Sequence, residues 1–233
     1  MMSPMMKLLA VVALVLPLAQ EKNEAEELFK KMETKVSKAK TLRAVMTGEM
    51  AEAKMKLSGE ILLDEGSKVR LEVEGKTDSM TRKGTVISDG KRMHLKSSGG
   101  GAGDAPDPAP FDAPSTFGTL IRVSLARAGL LSALEFCDTE EKAKTDPETG
   151  FKVSGLKLGP KEKVGDREAQ AVTYTVTRKG RDAAATLWID VATHLPLKRA
   201  LKVDGMELTE NYSDVKLDEK IDAAKFEVPK ETK

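Results

Sequence analysis

The sequence predicts an α+β fold in which one curved antiparallel sheet carries helices on its apolar face. Three features predict it. Runs that alternate apolar and polar side chains recur along the chain, separated by connections too short for parallel crossovers. One amphipathic helix precedes them. A strongly apolar helical stretch divides them into two groups.

The elements follow in chain order. The opening MMSPMMKLLAVVALVLPLAQ sets Lys7 ahead of an apolar run, Leu8–Leu18, too short to span a bilayer as a helix. Residues 1–19 read as a secretory signal peptide, with an uncleaved membrane anchor as the alternative. No Cys follows the run, so lipid attachment at a cysteine is not expected. Residues 20–233 then form a single exported, periplasmic domain, expected to be a monomer.

Glu21–Lys40 reads as a helix, because Ala25, Leu28, Phe29, Met32, Val36 and Ala39 recur at steps of three and four. Acidic residues crowd its start and lysines its end, as the helix dipole prefers. With one apolar stripe, it must lie on something.

Met55–Leu63 and Val69–Val73 alternate as strands that are wet on one face. Thr85–Lys96, TVISDGKRMHLK, is a hairpin turning at Asp89–Gly90. Residues 97–115, rich in Gly, Pro and Asp, read as a flexible loop without the ordered spacing of a calcium-binding loop. Thr116–Phe136 is an apolar helix or a pair of short helices, with Gly129 as the break. After a polar loop near Asp146–Gly150, strands resume over Phe151–Leu158, Ala171–Lys179, Ala184–Val191, Leu195–Val203 and Met206–Val215.

Composition narrows the function. Lys and Arg number 38 against 37 Asp and Glu, and aromatic residues are 4%. That balance disfavours a nucleic-acid partner, which would need a basic excess and stacking platforms. His94 and His194 stand in strand or turn with no acid or Cys at ligand spacing, and no nucleophile-elbow, zinc or phosphate-cradling motif occurs. Neither an enzyme, a cofactor nor a metal site is expected. Cys137 reads as a small buried hydrophobe. Trp188 falls out of phase with Leu187, Ile189 and Val191, so it reads as covering the outer face or a helix junction, with a lip contact for an apolar ligand as the alternative.

Four segments together resemble the LolA/LolB-like lipoprotein-localisation proteins: VISDGKRMHL, GTLIRVSLARAG, LWIDVATHLPLKRAL and the terminal KIDAAKFEVPK. Their order covers nearly the whole mature chain except 97–115. Glu65–Gly66 stands where such carriers place an Arg-Pro step, so that role is not carried over. The resemblance implies a half-open curved antiparallel β-barrel with helices covering the concave apolar face. It also implies that the concavity takes lipid or lipoprotein acyl chains.

Leaving an acyl chain of about sixteen carbons in water costs roughly 12 kcal/mol, at about 0.8 kcal/mol per methylene, so a holder needs a comparable apolar groove. The expected lining is Leu57, Ile61, Leu63, Val69, Leu71 and Val73 from the first strand group and Leu120, Leu125 and Leu130 from the helix. Val172, Tyr174, Val176, Leu187 and Ile189 complete it from the second group. The bland alternative is that the same residues form a packed core. On this reading the protein is a periplasmic carrier or sensor of an apolar ligand. The alternative function is a periplasmic interaction or regulatory module docking transiently on a membrane protein.

Overall fold

The computed structural model describes residues 16–98, 109–134 and 140–229. Residues 1–15 of the expected signal peptide, 99–108 of the expected loop, and Cys137 lie outside the described residues.

Helix α1 spans Leu16–Lys38. It starts earlier than the expected Glu21 and runs through the expected cleavage point. Leu, Ala, Gln and Glu are good helix formers, and Pro17 falls in the first turn, where its missing N–H costs nothing. Five strands follow: β1 (Leu42–Met50), β2 (Met55–Asp64), β3 (Lys68–Lys76), β4 (Thr81–Asp89) and β5 (Arg92–Ser98). The two-residue strand β6 (Phe111–Asp112) then adds to β5, so part of the expected loop is strand.

The apolar stretch becomes α2 (Phe117–Arg127) and α3 (Leu130–Leu134), broken at Gly129, whose φ of +97° suits glycine alone. A single turn, α4 (Glu140–Ala143), precedes the expected polar loop, and another, α5 (Pro147–Gly150), occupies it. The second strand group is β7 (Lys152–Val164), β8 (Arg167–Arg178), β9 (Arg181–Asp190), β10 (Pro196–Val203) and β11 (Met206–Leu217). Strand β1 was not expected: its inward Leu42, Ala44 and Met46 alternate with Arg43, Val45 and Thr47, which blurs the pattern.

All strands join one antiparallel sheet in the order β6-β5-β4-β3-β2-β1-β11-β10-β9-β8-β7. The first and second strand groups meet at the β1–β11 pair, so chain start and chain end zip together at mid-sheet. The sheet curves without closing, and the α+β fold class implied by the family resemblance is the one observed.

The concave face and the helices bury one continuous apolar cluster. Ala25, Phe29, Met32 and Val36 of α1 face inward, and the Phe29 ring meets Tyr174 edge-on, centroids 5.1 Å apart. Helix α2 is buried almost all round, as a helix sandwiched between α1 and the sheet must be.

The two ends of this sandwich differ. At one end, polar groups stitch the layers together. Ser67 Oγ accepts from Gly118 N at 3.3 Å, and Arg122 Nη2 donates to Lys40 O at 3.1 Å. Burial holds the Arg122 guanidinium below the ordinary arginine value, with Asp64 acting against it. Also at this end, the Asp190 side chain accepts from Thr193 N at 2.5 Å and from Thr193 Oγ1 at 2.7 Å. Arg167 Nε lies 2.8 Å from the second Asp190 oxygen. This is the physical content of the DVATHLP segment: a turn locked by one buried carboxylate. At the other end, where the β1–β2, β8–β9 and β10–β11 turns lie, the layers part.

Candidate ligand cavity

Between those turns and the α2–α3 elbow lies a cavity of about 660 Å³. Met50 and Leu57, beside the β1–β2 turn, form one wall. Leu201, Val203, Met206 and Leu208 of β10 and β11 form its sheet side. Ala128, Leu131 and Ser132 of the elbow form the roof, and Phe151 closes the flank. Val176 and Ala183 come from β8 and β9, whose turn contributes Arg178, Lys179 and Arg181. The lining is mostly apolar. Its charged groups, Arg178, Lys179 and Arg181 by the β8–β9 turn and Asp204 in the β10–β11 turn, belong to the turns at this end. Met206 is 44% exposed, an apolar side chain left open to water at this lip.

One residue layer further in, the roof is fastened to the sheet by buried polar side chains. Leu131 N donates to Glu210 Oε1 at 2.9 Å, and Leu130 N donates to Oε2 at 3.3 Å. A carboxylate from β11 thus satisfies N–H groups that the start of α3 would otherwise leave open. At the end of α2, Arg199 Nη2 donates to Ala126 O at 2.7 Å and Tyr174 Oη donates to Arg127 O at 3.0 Å. Tyr212 Oη donates to Glu210.

Burial, and then the Glu210 carboxylate, hold the Tyr212 hydroxyl well above the ordinary tyrosine range, so it remains a donor. Burial acts to lower Arg199, but Tyr174, Tyr212 and Glu210 together keep it above its ordinary value. Arg199 Nε and Nη1 find no hydrogen-bond partner among the described residues.

Of the expected lining, the structure brings Leu57 and Val176 to the cavity wall. The rest lie in the buried apolar cluster. Ile61, Leu63, Val69, Leu71, Leu120, Leu130, Val172, Leu187 and Ile189 are wholly buried; Val73, Leu125 and Tyr174 are nearly so. Alternation identifies the inward face but not where along it the layers separate. Leu201, Leu208 and Phe151 carried the same apolar signal, yet the polar mouth residues carried none.

Trp188 lies opposite the core face, as its phase implied. Its indole N–H donates to Glu162, and Lys198 Nζ sits 4.6 Å from its ring centroid. Among the described residues no group of His, Cys, Asp and Glu is arranged to hold a metal, and no helix is long and apolar enough to cross a membrane.

The course of the chain can be set beside solved structures. It is similar to LprF from Mycobacterium bovis. That alignment covers 83% of this chain and 93% of LprF, at 11% identity and a TM-score of 0.49. The lipoprotein LppX of Mycobacterium tuberculosis aligns over 86% of this chain and 98% of its own, at 11% identity and a TM-score of 0.46. A chain of the Pseudomonas aeruginosa MucA/MucB complex aligns over 88% of this chain but 61% of its own, at 12% identity and a TM-score of 0.45. No protein-family model and no curated protein matches the chain. Likeness at this level concerns chain path and assigns no ligand.

Proposed function

We propose that this protein holds an apolar chain, such as a lipid tail or the acyl chain of a lipoprotein, in the cavity beneath the α2–α3 elbow. It would act as an exported carrier or sensor. The carrying observation is the cavity itself: about 660 Å³, apolar within, open at one end of an otherwise packed sandwich. Ligand pockets span roughly 300–1,000 Å³ and are lined mainly by apolar side chains with a few polar groups at defined places. An empty apolar hollow of this size is unfavourable unless something covers or fills it. Export is part of the same proposal, and the apolar N-terminal run behind Lys7 supports it.

Native mass spectrometry of the purified protein should reveal co-purified lipid, and a fluorescent fatty acid should be taken up in solution. Absence of both overturns the reading and leaves the interaction module as the better account.

A further inference from the structure

The described methionines fall into two groups by place. Met32, Met46 and Met93 are wholly buried in the apolar cluster. Met50, Met55 and Met80 are half-buried, and Met206 is 44% exposed. These last four all stand at the end of the sheet where the cavity opens: Met50 ends β1, Met55 begins β2, Met80 immediately precedes β4 and Met206 begins β11. Met50 and Met55 are direct cross-strand partners, and Met50 is also paired with Leu208, two positions along β11 from Met206. Side chains directly opposed in this way lie about 5 Å apart at Cβ and diagonal ones about 7–8 Å, within reach of long side chains. Met50 and Met206 line the cavity, whereas Met55 and Met80 do not. Further in, the wall is hydrocarbon: Leu57, Val176, Ala183, Leu201 and Leu208. Thioethers thus stand in the lining only at its rim, where water reaches them.

We propose that this rim is a modification site: a peroxide oxidises the Met206 and Met50 thioethers to sulfoxides, the oxidised rim admits the apolar ligand less readily, and a bound ligand shields both sulfurs. This rests on the binding role proposed above and adds a means of regulating it. In the step one peroxide oxygen is transferred to Sδ. The S–O bond forms as the O–O bond breaks, sulfur gives up two electrons, and the reduced peroxide leaves as water when the oxidant is hydrogen peroxide. No further reactant is needed. The product side chain is polar where the thioether was apolar, so the lip becomes wet. A ligand tail passing it must then strip water from a hydrogen-bond acceptor without replacing the bond. The wholly buried Met32, Met46 and Met93 lie out of reach, so the change is confined to the mouth.

The test is treatment of the whole protein with hydrogen peroxide, followed by peptide mass spectrometry and by uptake of a fluorescent fatty acid. Met206 should gain oxygen first and Met50 next, with Met32, Met46 and Met93 unmodified. Dodecanoic acid present in excess should slow oxidation of Met206 and Met50 but not of Met80, which lies at the same end outside the cavity. Affinity for the fluorescent fatty acid should fall about tenfold on treatment, with the thermal midpoint nearly unchanged. Met50→Leu/Met206→Leu, similar in volume and without sulfur, should show no such fall between its treated and untreated forms, whatever its starting affinity. If that double variant does not fold, Met206→Leu alone should lose less on treatment than the unaltered protein. Unchanged uptake by protein oxidised at both positions overturns the modification site and leaves the chain-binding role standing. So does an equal fall in the leucine variant, a fall that accompanies unfolding, equal shielding of Met80, or a Met206 no more reactive than the buried methionines. Failure of the untreated protein to take up the fatty acid overturns the site and the chain-binding role together.

Discussion

Arg199 of β10 and Glu210 of β11 are direct cross-strand partners, and both are fully buried on the concave face. Each reaches a different end of the elbow. Arg199 donates to the Ala126 carbonyl near the end of α2, and Glu210 caps the first amides of α3. One residue pair in the sheet therefore fixes the roof of the cavity from both sides, with each charge matched to the helix terminus it meets.

Removing one member should cost more than the contacts it makes, because the other is left as a buried charge. Arg199→Met is expected to lose about 3–5 kcal/mol, and Glu210→Gln about 1–3 kcal/mol. The double variant should lose at least about 1 kcal/mol less than the sum. Urea unfolding of the four proteins measures this; strict additivity would mean the pair is not coupled.

Gly129 cannot be exchanged for a residue with a side chain. Its φ is +97°, and an added Cβ would fall within the Glu210 carboxylate. Gly129→Ala should destabilise the protein by about 2–4 kcal/mol, combining backbone strain with a forced shift of a buried charge. A thermal midpoint within about a degree of the parent would show that the elbow yields freely.

Acid should loosen the turn after β9. Burial acts to raise the Asp190 carboxyl, but the Thr193 hydroxyl, the Thr193 amide and Arg167 together hold it below the ordinary aspartate value of 3.8. The folded state thus binds this proton less readily than the unfolded state. The stability it contributes is complete above pH 3.8 and is lost as pH falls through the depressed folded value. Asp190→Asn should cost about 1–3 kcal/mol at neutral pH and flatten the acid limb of the stability curve. An unchanged acid limb in that variant would assign the effect elsewhere.

Filling the hollow should abolish binding without unfolding the chain. Ala183 lies on the cavity wall in β9, and Ala183→Trp would occupy space that a ligand tail needs. Uptake of a fluorescent fatty acid should fall by about tenfold or more, equivalent to about 1.4 kcal/mol, with the thermal midpoint nearly unchanged. Undiminished uptake would move the binding site away from this cavity.

Trp188 offers an independent check. As the sole tryptophan, on the convex face between Glu162 and Lys198, it should keep its emission when a ligand enters the cavity. A large shift would place the ligand on the outer face.

Much of this architecture was legible in the chain. The rows Val69–Leu71–Val73, Val172–Tyr174–Val176 and Leu187–Ile189 point inward as their spacing implies, whereas Val191, expected in the last of these rows, falls in the turn beyond β9 and is 37% exposed. The Asp89–Gly90 turn forms, with Asp89 accepting from Lys91 N and Arg92 N at 2.7 Å each. Gly129 does break the helix. Strand β1 and the short helices α4 and α5 were hidden because small or mixed side chains weaken the local period.

Periodicity is local: whether a side chain faces core or water follows from its own strand or helix, so the sequence alone determined the two faces of the sheet and the helical cover. The location of the hollow depends on the gap between layers, which long-range pairing and sheet curvature set together. The Arg199–Glu210 pair likewise exists only through the register of β10 against β11. Two charged residues eleven positions apart in a lysine- and glutamate-rich chain look like surface until the strands that carry them are aligned beneath a helix elbow.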